Sequence, residues 1–237
     1  MLRSEIWLAD WLQANTYAVD FHTDLDLHNG LDFTGYRCVI LSTHPEYWTV
    51  PMMDAIRGFL NQGGSLLYLG GNGAYRPTSL GPSQSGGDTD LMTSESSVWA
   101  TADFPTYFGK PLFGARVDVL GGPGAGNGVV LNPGVGFVPV DAPAGVVGTS
   151  GWNVPALPGS QPWGASGWET DHWVAPLPAD VTDMGRGITG DGGVVAMYRT
   201  PAGGFVMGVG SLTFVGAMMT DATLQALVAN ALAEALK

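Results

Sequence analysis

Between residues 37 and 73 the chain spells out a strand, a helix and a second strand, and this unit constrains the fold more than any other feature. Cys38-Val39-Ile40-Leu41 is an apolar run with the length of a buried strand. Thr49 can cap a helix that carries Pro51 in its first turn. Met52, Met53, Ile56, Phe59 and Leu60 recur at helical spacing, and Gly63-Gly64 end the helix. Ser65 to Leu69 is again apolar and closes at Gly70-Gly71-Asn72-Gly73. Two strands joined through a helix are expected to be parallel neighbours with a right-handed crossover. The loops at their carboxyl ends must then emerge at the same sheet edge, where open α/β sheets bind ligands.

Those loops carry chemistry. The first is His44-Pro45-Glu46-Tyr47-Trp48, a compact set of imidazole, carboxylate and phenol. The second holds Asn72 and Tyr75. Upstream, Ile6, Leu8, Trp11 and Leu12 predict a helix over 5–14, with Asn15 as terminator. Tyr17-Ala18-Val19-Asp20-Phe21 alternates apolar and polar as a strand would. The acidic segment 23–30 then reads as a loop emerging at the same edge, so three loops are expected to share one crevice.

Residues 77–180 are rich in Pro and Gly and lack helical periodicity. They read as an irregular, tryptophan-bearing excursion over the active edge, with short strands at Ala115–Leu120 and Gly128–Leu131. Val194–Tyr198 and Phe205–Val209 read as strands around the turn Pro201-Ala202-Gly203-Gly204. A last helix, about Asp221 to Leu236, aligns Leu224, Leu227, Val228, Ala231 and Leu232. The expected organisation is one α/β domain over 1–237.

Composition narrows the function. The formal net charge of −12 argues against nucleic acid and against anionic membranes, since both demand clustered Lys and Arg. The apolar stretch 205–219 is interrupted by Gly and too short to cross a bilayer. Glu5 and Asp10 disrupt any secretory leader, so a soluble, cytoplasmic protein is expected. The one cysteine, Cys38, sits inside a strand and forms no internal disulfide.

Five segments in order give the chain a resemblance to a known family. They are Thr23-Asp24-Leu25-Asp26-Leu27-His28, His44-Pro45-Glu46-Tyr47-Trp48, Gly70-Gly71-Asn72-Gly73-Ala74-Tyr75, Gly167-Trp168-Glu169-Thr170-Asp171 and Gly208-Val209-Gly210-Ser211-Leu212-Thr213. The chain resembles the carboxyl-terminal part of the N,N-dimethylformamidase large (beta) subunit family. The resemblance implies a flavodoxin-like parallel sheet, as in class I glutamine amidotransferases, with a long insertion. It also implies hydrolysis of a small amide such as a substituted formamide. A mononuclear ferric iron would be held by two tyrosinates and a glutamate, which fall here on Tyr47, Tyr75 and Glu169. The chain starts at a helix where the family has an earlier strand and a large preceding region. Arg76-Pro77 stands where relatives often carry an aromatic residue.

The chemistry is coherent. Phenols titrate near 10, so they ligate only cations that strongly favour phenolate, and hard, highly charged ions do so. An amide's leaving amine needs a proton. His44 and Glu46 are the nearest acid–base candidates, and Asp171 and His172 are placed to orient ligands or move protons. Simple packing is the alternative for Tyr47 and Tyr75, and an ordinary hydrogen-bonding partner for Glu169. Asp24, Asp26 and His28 read first as caps and turn formers, and second as a hard-metal site. A cysteine-dependent enzyme would need a nucleophile elbow that Cys38 lacks. A non-catalytic binding or assembly module with a vestigial site is the remaining alternative. The expected partners are a small amide and either further copies of the chain or a small accessory subunit.

Overall fold

A computed structural model gives the fold and describes residues 2–74, 76–82, 90–94, 106–107, 110–111, 128–152, 163–171, 178–189 and 192–237. Helix α1 (Leu2–Ala14) is followed by α2 (Asp24–His28), strand β1 (Cys38–Thr43), the short β2 (Tyr47–Trp48), α3 (Val50–Asn61) and β3 (Ser65–Gly70). Next come β4 (Arg76–Pro82), β5 (Asp90–Ser94), β6 (Thr106–Tyr107), β7 (Lys110–Pro111), β8 (Val129–Leu131) and β9 (Val146–Val147). The chain closes with β10 (Val181–Gly187), β11 (Val194–Arg199), β12 (Phe205–Gly208), α4 (Phe214–Met218) and α5 (Ala222–Ala235).

The strand–helix–strand unit is present. β1 and β3 pair in parallel from Cys38 opposite Ser65 to Thr43 opposite Gly70. Helix α3 starts at its Thr49 cap, whose hydroxyl accepts from Met52 N–H at 3.3 Å, with Pro51 in the first turn. Its five apolar positions, Met52, Met53, Ile56, Phe59 and Leu60, are all buried.

Because side chains alternate along a strand, β3 serves two cores at once. Leu66 and Tyr68 pack with Trp48, Ile56 and Leu60 on one face. Leu67 and Leu69 pack on the other with Leu12 of α1, Phe214 of α4 and Leu227 of α5. A fully apolar strand is what burial on both faces demands.

The sheet is not the parallel, flavodoxin-like one that the family resemblance implies. Its seven strands run β1-β3-β12-β11-β10-β8-β9 and are mixed. Only the neighbouring pairs β1–β3 and β3–β12 are parallel. β11 pairs antiparallel with β12, β10 with β11, β8 with β10, and β9 with β8. The reason is connection length. Parallel neighbours need a crossover of a dozen or so residues, whereas the turn at 200–204 and the link at 188–193 are too short and force hairpins.

Two local expectations also change. Residues 17–21 form no strand. Thr16 turns left-handed, Tyr17 N–H closes α1 on Leu12 C=O at 3.1 Å, and Val19 and Phe21 stay exposed. Alternation makes a strand only where a partner ladder is available. Segment 23–30, expected as a loop, contains α2, because Thr23 and Asp26 form a reciprocal capping box. The capping reading of Asp26 thus holds. The expected strand at 115–120 lies outside the described residues, whereas Val129–Leu131 is a strand in the main sheet. Among the described residues, no helix is long and apolar enough to cross a membrane.

Thr49 is buried, caps α3 and also meets His28 Nδ1 at 2.8 Å. Thr49→Ala removes both contacts and should cost about 1–2 kcal/mol, read as a lowered midpoint in urea unfolding with an unchanged slope.

Candidate functional site

Three chain segments are stitched together at the carboxyl ends of β1 and β3. The parallel register sets Thr43 beside Gly70, and Gly71 N–H donates to Thr43 C=O at 3.0 Å. Further on, Ala74 N–H donates to Pro45 C=O at 2.8 Å and Arg76 N–H to Glu46 C=O at 3.0 Å. These bonds extend the pairing of Tyr47-Trp48 with Arg76-Pro77. The third segment, 169–171, enters through a bridge between Thr170 and Ser211 and through Asp171 N–H donating to Gly210 C=O at 2.9 Å. The fit is close enough that a Cβ on Gly71 would lie 1.9 Å from Glu169 C=O.

This junction holds strained backbone. Five non-glycine residues adopt positive φ among the described residues, and four of them, Thr43, Asn72, Ala74 and Glu169, belong to these segments. Each such residue costs of order 1–3 kcal/mol and persists where its surroundings over-determine it, a pattern that clusters at functional sites.

The side chains converge as well. His44 Nε2 lies 2.9 Å from Glu46 Oε2 and 2.8 Å from Glu169 Oε2. Arg76 Nε donates to Glu46 Oε1 at 3.0 Å and fixes that carboxylate from behind. His44 Nε2 and Glu169 Oε2 are both buried, and at 2.8 Å each is the other's near neighbour of opposite charge. Burial pulls the His44 pKa down, but contact with Glu169 and the charges of Glu169 and Glu46 outweigh it and hold the imidazole above its usual range. Burial raises Glu169, yet His44 and then Trp168 more than offset this and keep it below the usual carboxylate range. Tyr47 stands at the rim, 36% exposed, with its ring 6.4 Å from that of His44. Burial, then the charge of Glu46, pushes its phenol up.

This assembly is built from the segments that carry the family resemblance, and the match extends along the chain. The family described as N,N-dimethylformamidase beta subunit-like, C-terminal, matches residues 1–226. The chain belongs to that family. It is similar to the N,N-dimethylformamidase beta subunit of Paracoccus aminophilus, 37% identical over 83 residues, which are 34% of this chain and 11% of that protein. It is likewise similar to the N,N-dimethylformamidase beta subunit of Alcaligenes sp, 37% identical over 76 residues, 31% of this chain and 10% of the relative. The aligned stretches therefore span about a tenth of these curated relatives.

Within this dimethylformamidase-like chain, the sequence candidates separate into three groups. His44, Glu46, Tyr47 and Glu169 meet at one place. Asp171 lies beneath them, fully buried, accepting from Tyr68 OH at 2.6 Å and from Asn72 N–H at 2.9 Å. Burial pushes its carboxyl up to about 7 against the lowering pull of Tyr68 and the backbone donors. Tyr75 and His172 lie outside the described residues.

Sequence reasoning missed Tyr68, hidden as an apolar strand residue, and passed over the role of Arg76. The only signal for Tyr68 was a phenol set among the leucines of an apolar strand. Among the described residues, no three His, Cys, Asp or Glu side chains are grouped to hold a metal by themselves, so a metal here would depend on tyrosine donors. Burial pushes the Cys38 thiol up to about 12, which suits an inert thiol and not a nucleophile.

Gly71 tests the packing of the junction. In Gly71→Ala the new methyl meets backbone atoms of Glu169 and Leu212, which cannot swing aside. A loss of about 3 kcal/mol in urea unfolding is expected, well above that of an ordinary glycine-to-alanine change.

Proposed function

We propose that the chain is the site-bearing domain of a hydrolase acting on the C–N bond of a small amide such as a substituted formamide. The observation that carries this reading is the convergence of His44, Glu46, Tyr47 and Glu169 at the carboxyl ends of β1 and β3. Family membership supports the reaction class.

The donor set fits a hard cation. Glu169 offers a carboxylate oxygen at the point of convergence, and Tyr47 offers a phenol that burial and then the neighbouring carboxylates push up. A cation between them would reverse that effect and favour phenolate. Tyr47 and Glu169 would hold a ferric ion, with Tyr75 proposed as the second tyrosine on sequence grounds. Such an ion supplies Lewis acidity towards an amide carbonyl.

The remaining steps fall to the chain's own groups. His44, held above its ordinary pKa between two carboxylates, keeps a proton at a ring nitrogen and can deliver it to the departing amine. Glu46, tied down by Arg76, orients the imidazole. The relatives are named as beta subunits, so this chain is proposed to act in an assembly, with copies of itself or with a small accessory subunit.

The test compares wild-type protein with Tyr47→Phe by metal analysis, visible absorption and hydrolysis of N,N-dimethylformamide. Wild type is expected to hold stoichiometric iron with a phenolate-to-ferric charge-transfer band. Tyr47→Phe should lose the band and at least about 100-fold in turnover, in line with loss of a metal ligand or essential catalytic group. An unchanged metal content and spectrum in Tyr47→Phe would remove Tyr47 from the ligand set. A wild-type protein that cannot be loaded with iron would favour the binding-module reading. His44→Gln should retain the band yet lose about 100-fold in turnover.

A further inference from the structure

Both oxygens of the Asp171 carboxylate are engaged. Oδ2 accepts from Tyr68 OH at 2.6 Å, and Oδ1 accepts from Asn72 N–H at 2.9 Å. The Tyr68 oxygen in turn accepts from Gly73 N–H at 2.7 Å. Asp171 itself is fixed on both backbone sides, donating to Gly210 C=O and accepting from Val194 N–H, each at 2.9 Å. Tyr68 is fixed by β3, where it pairs with Leu41 and Gly208.

A rigid donor–acceptor pair thus grips two consecutive amides of the turn that follows β3. Asn72 and Ala74 in that turn adopt left-handed backbone, which an Asn tolerates and an Ala disfavours. The same turn holds the Pro45 and Glu46 carbonyls through Ala74 and Arg76 and packs through Gly71 against the Glu169 carbonyl. It is therefore the spacer between the loop of Tyr47 and the loop of Glu169.

We propose that Tyr68 and Asp171 are a positioning pair: they lock the 71–74 turn and thereby set the separation of Tyr47 and Glu169, without touching substrate. This rests on the reading of Tyr47 and Glu169 given above, but the lock itself can be measured apart from it. Groups that orient ligands from behind commonly change affinity or activity about 10–100-fold when removed.

The experiment uses Tyr68→Phe, Asp171→Ala and the near-isosteric Asp171→Asn in the full chain. Hydrogen exchange followed by mass spectrometry should show the segment 71–74 exchanging at least about 10-fold faster in Tyr68→Phe and Asp171→Ala, with 205–208 unchanged. Asp171→Asn keeps an acceptor for Asn72 N–H and a donor for the Tyr68 oxygen, and should retain most of the protection. In iron-loaded protein, Tyr68→Phe should shift the charge-transfer band and lower kcat about 10–100-fold with KM little changed. Unchanged exchange at 71–74 in both disruptive variants overturns the proposal. So does a rise spread equally over 65–70 and 205–208, which would mark the pair as ordinary core. If wild-type protein shows no iron band, the metal reading fails, and the exchange measurement alone decides whether the pair locks the turn.

Discussion

The parallel register between β1 and β3 is the constraint on which the rest of the structure depends. It sets Thr43 against Gly70, so the two following loops leave the sheet side by side. A slip of one residue would turn every side chain of β3 to the opposite face. Tyr68 would leave Asp171, Leu66 would leave the face covered by α3, and Leu67 would lose Phe214 and Leu227. Packing on both faces therefore selects one register, and that register places the site.

Charge at the site is arranged against the background of a strongly acidic chain. Two carboxylates flank His44, and Arg76 is the cation that answers Glu46 from the far side. In a region partly withdrawn from water these attractions are weakly screened, which is why the imidazole pKa lies above its usual range despite burial. Deeper in, Asp171 has the opposite environment. It relies on a phenol and backbone amides, and desolvation raises its pKa.

The strand–helix–strand unit was legible because its two periodicities change cleanly at Thr49 and Gly63. The same method misread residues 17–21, since alternation describes a side-chain pattern and says nothing about whether a ladder partner exists. It also missed β10, whose sequence Val-Thr-Asp-Met-Gly-Arg-Gly has two glycines and a register shift between Asp183 and Gly185. Without β10 the antiparallel half of the sheet could not be anticipated. At the site, the proximity of His44, Glu46 and Tyr47 was local and readable. Glu169 joins them through the Thr170–Ser211 bridge and the Asp171–Gly210 bond, tertiary contacts that no spacing in the sequence encodes, and it was reached through the family resemblance.

The absence of side chains at Gly70 and Gly71 has a consequence for how such a domain can diverge. A β-carbon at either position would run into the backbone of a neighbouring segment, Thr43 in one case and Glu169 in the other. The interior of the junction is thus closed to gradual change, because any larger residue there demands simultaneous adjustment of two loops. Descendants of this chain can explore new substrates one substitution at a time only at the outer rim, where Tyr47, Arg76 and Trp168 retain contact with solvent.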